Sequence, residues 1–340
     1  MIARNCLLPT IVLCASIALT SLAAAEPPAL TTLSDTTIEY RVPEKPYVVL
    51  KRADVEAVVV DNQGVRDEVL PGHQSHLNGI ASLKHRQRPE SLFKPEACGL
   101  NFEHIHDGTV QERPVLFEPR FAPMELRVID PYTAELYQKP TPHWGLESCT
   151  RYRLLDDGVI EMTFECIPRQ QSFKNGYIGL FWASYIFEPE ARDIQFKGHA
   201  VDGPATVEWV RGVTPAHGQF STHIAAGDTR EFPHDANFPA SLVFSRSHYY
   251  YDEPWYFGVS HGMAYVQMFR PKDQVRLSQS PSGGNSPPKN PAWDFQFLIP
   301  NYEVGERYQL VMRAAYIPYE SPEQVEKATA AHRAALSAEK

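Results

Sequence analysis

Apolar positions along the chain recur in runs of strand length rather than at helical spacing. Tyr47 to Leu50, Val55 to Val60 and Met124 to Asp130 open the series. Val159 to Glu165, Tyr177 to Phe187, Trp255 to Val259, Ala264 to Phe269, Trp293 to Ile299 and Tyr308 to Ile317 continue it, separated by Gly, Pro, Asn or Asp. The pattern predicts an all-β chain of strands and turns. Helical signals gather only at the end, where Ser321-Pro322-Glu323-Gln324 sets an N-cap, a first-turn proline and an N3 glutamine in capping-box spacing. One short helix is expected there, from Ser321 to about Ser337. Between the last strands, Ser278 to Pro291 is rich in Ser, Pro, Gly and Asn and reads as a long polar loop, either the rim of a site or a mobile connection.

One hairpin can be placed in register. A two-residue Asp157-Gly158 loop would set Cys149 opposite Cys166, but it would also pair Arg153 with Met162 and Arg151 with Phe164, wasting the apolar pattern. A three-residue Asp156-Asp157-Gly158 loop, with Gly158 left-handed, instead pairs Leu154 with Ile160, Tyr152 with Met162 and Arg153 with Glu161. That register turns Cys149 and Cys166 to opposite faces, so no disulfide is expected between them.

Composition supports the all-β expectation: 29 prolines outnumber 19 glycines, and aromatics make up 11% of the 340 residues. With 43% hydrophobic residues the chain can bury a core. Met1 to Ala25 carries Arg4 as its one charge, then an apolar stretch and an alanine triplet before Glu26, the features of a secretory signal cleaved after Ala25. The expected organisation is a signal over 1–25, a mobile polar lead over 26–44, a single β domain over 45–320 and the helix over 321–340. The protein is then exported, periplasmic or extracellular, with no stable membrane insertion after cleavage. The net charge of −9, without any basic block, makes nucleic acid and anionic lipid poor partners.

Several segments resemble galactose mutarotase-like proteins. Asn78-Gly-Ile-Ala-Ser-Leu-Lys-His85, Pro89-Glu-Ser-Leu-Phe93 and Gly99-Leu-Asn-Phe-Glu-His104 look like early strands of that fold. Gly145 to Tyr152 with Gly158 to Glu165 resembles its central hairpin, and Tyr302-Glu-Val-Gly305 leading into Tyr308 to Met312 its closing strands. The chain also resembles uncharacterised secreted bacterial proteins. The resemblance implies a supersandwich, two large antiparallel sheets packed face to face with carbohydrate on a polar face. The scaffold serves epimerases, lyases and binding domains alike, so it carries no function by itself. Where sugar epimerases of this type have a histidine in an H-P-Y-F strand, this chain has Phe181-Trp182-Ala183-Ser184-Tyr185. That departure speaks against ordinary mutarotase activity.

The densest polar group is Glu103-His104-Ile105-His106-Asp107-Gly108, where a regular strand would turn His104 and His106 to one face and Glu103 and Asp107 to the other. Two such imidazoles can share a metal, supply an acid and a base, or bond sugar hydroxyls, and they can equally be histidines satisfied in a turn. Glu112 falls one position late for a cupin metal site, and no phosphate loop, dinucleotide fingerprint or nucleophile elbow is present. No metal or other cofactor is expected. A second group runs through His217, His223, Asp228, Glu231, His234 and Asp235. A third, His248 to Trp255 with Ser260-His261-Gly262, mixes aromatic faces with acid and base groups, which suits the apolar faces and hydroxyl edges of sugars. His143 beside Trp144, and Trp293 beside Asp294, are similar pairs.

These groups lead to one expectation: a carbohydrate-active protein using acid–base chemistry as a lyase, hydrolase or isomerase. His104 and His106 are its proton carriers, with His261 and Glu253 as partners across the cleft. Glu103, Asp107, His143, Trp144, His217, His223, Tyr250, Trp255 and Trp293 are its sugar contacts. The rival is a non-catalytic carbohydrate-binding or envelope structural protein of the same fold. An enzyme should gather an imidazole and a carboxylate in one deep pocket, whereas a binding module needs only an aromatic platform.

Overall fold

The computed structural model of the protein describes residues 30–281 and 290–338. The expected signal and residues 282–289 of the polar loop lie outside them. In chain order the first strands are β1 (Tyr47–Arg52), β2 (Val55–Val60), β3 (Gly79–His85) and β4 (Asn101–His106), followed by single-turn helices α1 (Arg113–Leu116) and α2 (Glu118–Phe121). Next come β5 (Met124–Asp130), β6 (Thr133–Gln138), β7 (Leu146–Leu154), β8 (Ile160–Pro168), β9 (Tyr177–Ala183), β10 (Ile194–Ala200) and β11 (Glu208–Gly212). The chain ends with β12 (Thr222–His223), β13 (Tyr249–Tyr251), β14 (Trp255–Ser260), β15 (Met263–Phe269), β16 (Arg276–Ser280), β17 (Ala292–Pro300), β18 (Tyr308–Pro318) and helix α3 (Pro322–Ala338).

The strands pair antiparallel into three sheets. The largest has the order β11-β10-β14-β15-β18-β8-β7-β6-β5, with β13 also on β10; a second has β12-β16-β17-β9-β4; and β1-β2-β3 form a small third. Aromatic side chains join the two large sheets into a sandwich. Trp182 meets Phe164 at 4.9 Å, Phe102 meets Phe164 at 5.1 Å, and Phe269 meets Phe295 at 4.9 Å. The period-2 pattern of β17 shows why the face is chosen: Trp293, Phe295, Phe297 and Ile299 enter the core, which leaves Asp294 and Gln296 on the opposite face of the sheet.

The expected hairpin is observed in the three-residue register, with Leu154 opposite Ile160, Tyr152 opposite Met162 and Gly158 at φ +84°. Cys149 and Cys166 are both buried and free. Helix α3 starts where its cap predicts, with the Gln324 N–H donating to Ser321 Oγ at 3.2 Å, and its Val325 and Leu336 pack with Trp255, Phe257 and Val311 on the ten-stranded sheet. No helix among the described residues is long and apolar enough to cross a membrane.

Three sequence expectations need correction. The run from Tyr177 to Phe187 is not one strand, because β9 ends at Ala183 and Tyr185 and Ile186 leave it for isolated bridges to Ala292 and Phe93. Ser278 to Ser280 belong to β16 rather than to the polar loop, since their backbones pair with Asp294, Trp293 and Ala292. The polar lead is tied down at its start. Thr31 and Thr32 are buried, and their hydroxyls and N–H groups donate to the buried carboxylates of Glu165 and Glu135 on the ten-stranded sheet.

Candidate active site

Strand β4 is the edge of the five-stranded sheet, and it carries a bulge that shapes the site. Phe102 pairs with Trp182 and His104 with Phe181, so Glu103 is an extra residue between consecutive rungs. Asn78 closes the free edge beside it, donating to the Phe102 carbonyl at 2.9 Å and accepting the Phe102 N–H at 3.0 Å. A bulge turns its extra residue out of strict alternation. Glu103 therefore shares the cleft with His104, where a regular strand would have separated them.

The cleft holds about 630 Å³, within the roughly 300–1,000 Å³ of small-molecule sites. His104 and Glu103 form part of its wall, with Phe181 from β9, Asp294 from β17, and Phe117 and Arg120 from the helical turns. Glu103 accepts from Arg120 at 2.8 Å and from the Tyr185 hydroxyl at 2.6 Å, so its carboxylate is fixed from two sides. His104 is clamped between rings, stacked on Phe181 at 5.0 Å and edge-on to Phe117 at 4.3 Å. Neither of its ring nitrogens has a hydrogen-bond partner among the described residues. Burial, then Arg120 and Arg113, lower its pKa to about 3, so the imidazole is neutral at pH 7.

Asp294 is the second carboxyl of the cleft. Burial first, then the nearby Glu103 carboxylate, push its pKa well above the usual carboxylate range, opposed by the Ser184 N–H that donates to Oδ1 at 3.2 Å. Two carboxyls thus stand in one cleft with opposed environments: Glu103 is paired with a guanidinium, and burial favours the protonated form of Asp294. His217 completes this side through Nδ1 and Ser280 Oγ, 2.9 Å apart.

The fold does not bring the expected catalytic quartet together; only His104 lines this cleft. His106 faces the same side of the sheet but is fully buried against Tyr177, Phe238 and Phe244. Gly179, opposite it in register, makes room for its ring. His261 sits at φ +52° in the β14–β15 turn, its N–H donating to Glu190. Glu253 accepts from Trp255 Nε1 and Arg333, bracing α3 against the sheet.

Among the expected sugar contacts, Glu103 and His217 line the cleft and the others do not. Asp107 closes a turn by accepting from Thr109 and the Lys174 N–H. Trp144, Trp255 and Trp293 are core side chains, as strand alternation and packing demand. His223 is buried with its Nδ1 2.6 Å from Ser247 Oγ, Tyr250 packs on His199, and His143 is exposed beside Trp144. Arg113, Arg120 and Lys94 escaped the sequence analysis, and Asp294 entered it only as the neighbour of Trp293. Asp294 had a signal: it is the acidic residue in an otherwise apolar strand, on the opposite face from Trp293. The cations carry no local signal, since loops and single-turn helices deliver them.

No protein-family model and no curated protein matches the chain. Among solved structures it is similar to the Slr1438 protein from Synechocystis sp. PCC 6803, at 9% identity over 82% of this chain and 98% of that one, with a TM-score of 0.46. It is also similar to galactose 1-epimerase from Lactobacillus acidophilus NCFM, at 10% identity over 83% and 99%, TM-score 0.42. A TPR-domain containing protein from Parabacteroides distasonis ATCC 8503 is similar at 12% identity and TM-score 0.45, over 81% of this chain, which spans about half (47%) of that one. No activity follows from likenesses of this depth.

Proposed function

We propose that the protein is an exported carbohydrate-active enzyme that works by acid–base chemistry in the Glu103–His104–Asp294 cleft. The observation that carries this reading is the convergence of a carboxyl with a raised pKa, an imidazole with both nitrogens unpartnered, and an ion-paired carboxylate on one cleft wall. An aromatic platform alone would suit a binding module; this set also supplies proton donors and acceptors. Asp294 gives a proton to a sugar oxygen, and His104, on the same wall, accepts one. Glu103, held by Arg120 and Tyr185, accepts hydrogen bonds from hydroxyls and stabilises the positive charge that develops when His104 is protonated. Phe117 and Phe181 offer apolar faces to the sugar ring. Export rests on the Met1–Ala25 pattern, and intact mass of secreted material should show a chain beginning near Glu26.

The test of activity is incubation with a glycan panel and product analysis, which also separates lyase, hydrolase and isomerase. With the responding glycan, Asp294→Asn and His104→Ala should each lower turnover by about 10²–10⁴. Unchanged turnover in both variants would reject this assignment of roles. Binding without any turned-over glycan would reject the enzyme in favour of a binding module.

A further inference from the structure

The charge lining the cleft indicates what its ligand carries. The chain has a net charge of −9, yet Lys94, Arg113 and Arg120 line this cleft. Two of these cations are already matched, Lys94 lying 3.4 Å from Glu96 and Arg120 2.8 Å from Glu103. Asp294 lies on the same wall, but burial disfavours its charged form. Arg113 has no carboxylate within ion-pair distance among the described residues. Its guanidinium lies 4.2 Å over the centre of the Phe117 ring, the ring that also packs edge-on to His104. Held over the ring and without a carboxylate partner, the guanidinium has its N–H groups available for a planar two-oxygen acceptor.

Resting on the carbohydrate reading above, we infer that the sugar this cleft accepts is a uronate, with its carboxylate held two-point by Arg113 and its ring beside His104. A neutral sugar leaves the guanidinium unmatched. A carboxylate neutralises it with one charge and supplies two coplanar oxygens. His104, with both nitrogens unpartnered, lies buried on the same wall beside the Phe117 ring.

The test is calorimetric titration of the protein with matched sugars: galactose against galacturonate, glucose against glucuronate, their short oligomers, and glucose 6-sulfate. The acid of each pair should bind about tenfold tighter or more than its neutral partner, and the margin should shrink as salt rises. Arg113→Gln should abolish the preference while neutral sugars still bind, since the side chain is exposed and makes no hydrogen bond or ion pair among the described residues. Arg113→Lys, which keeps the charge without the fork, should restore only part of it. Equal affinity for acid and neutral sugars, a preference that survives Arg113→Gln, or a stronger preference for the sulfate would each overturn the inference while leaving the carbohydrate reading standing. Failure of every sugar to bind would overturn both.

Discussion

Asp294 and His106 face the same side of one sheet and respond to pH with opposite signs. Asp294 has a raised pKa, so between its unfolded value of 3.8 and its folded value the native state binds more protons than the unfolded chain. Its contribution to stability is full below pH 3.8 and is lost as pH rises. Asp294→Asn, which can still accept the Ser184 N–H, should therefore melt no lower than the wild type at pH 7, and its advantage should grow from about pH 4 upward. A variant that loses both turnover and stability at pH 7 would make Asp294 a structural residue. His106 is lowered to about 3 from 6.5, first by burial, so its contribution is full above pH 6.5 and falls as the solution is acidified towards pH 3. His106→Gln should lose less of its melting midpoint than the wild type between pH 7 and pH 4.5, measured in parallel scans. An equal loss in both would mean that the imidazole takes up its proton as readily in the folded state as in the unfolded chain.

At the level of elements, two features have local and separable strengths. The cap of α3 rests on one hydroxyl, so Ser321→Ala should cost about 1 kcal/mol, read from the urea midpoint at unchanged slope. The β4–β9 pair depends on a missing side chain. A Cβ on Gly179 would lie 2.2 Å from the His106 ring, and Gly179→Ala should cost about 1–3 kcal/mol by overpacking. A neutral Gly179→Ala would show that His106 has room to move. The hairpin β7–β8 was legible because its apolar alternation and its Gly158 turn agree on one register. The bulge at Glu103 was not, because it depends on the pairing of β4 with β9, some eighty residues away in sequence.

For the molecule as a whole, the start of the described chain is a tie across the outer face of the large sheet. Glu135 and Glu165 are fully buried there, and besides Cys149, Arg151, Arg307 and Gln309 their partners are the Thr31 and Thr32 groups. Replacing both threonines by valine removes two hydroxyl donors at nearly constant volume, and each should cost about 1–3 kcal/mol for the acceptor left short of a partner. Chemical denaturation that shows no change would mean that the segment is a passenger. Polarity alone reads such a segment as loose, because the buried carboxylates that hold it come from strands more than a hundred residues away.

The amino-acid sequence by itself determined the period-2 strands, the turn at Gly158, the separation of Cys149 from Cys166 and the cap of α3. Each of these is set by neighbours within a few residues, through backbone sterics, alternation and local hydrogen bonds. It also placed polar density at Glu103 and His104, where the cleft lies. Only the tertiary structure decided which polar groups share that cleft. The third dimension buried His106, gave Glu253 and His261 to a helix brace and a turn, and sent Trp144, Trp255 and Trp293 into cores. It also brought Asp294 and Arg113 to the same wall, on elements nearly two hundred residues apart. A site made by strand pairing and loop packing leaves no spacing in sequence. Its chemistry depends on burial and on charges from distant elements.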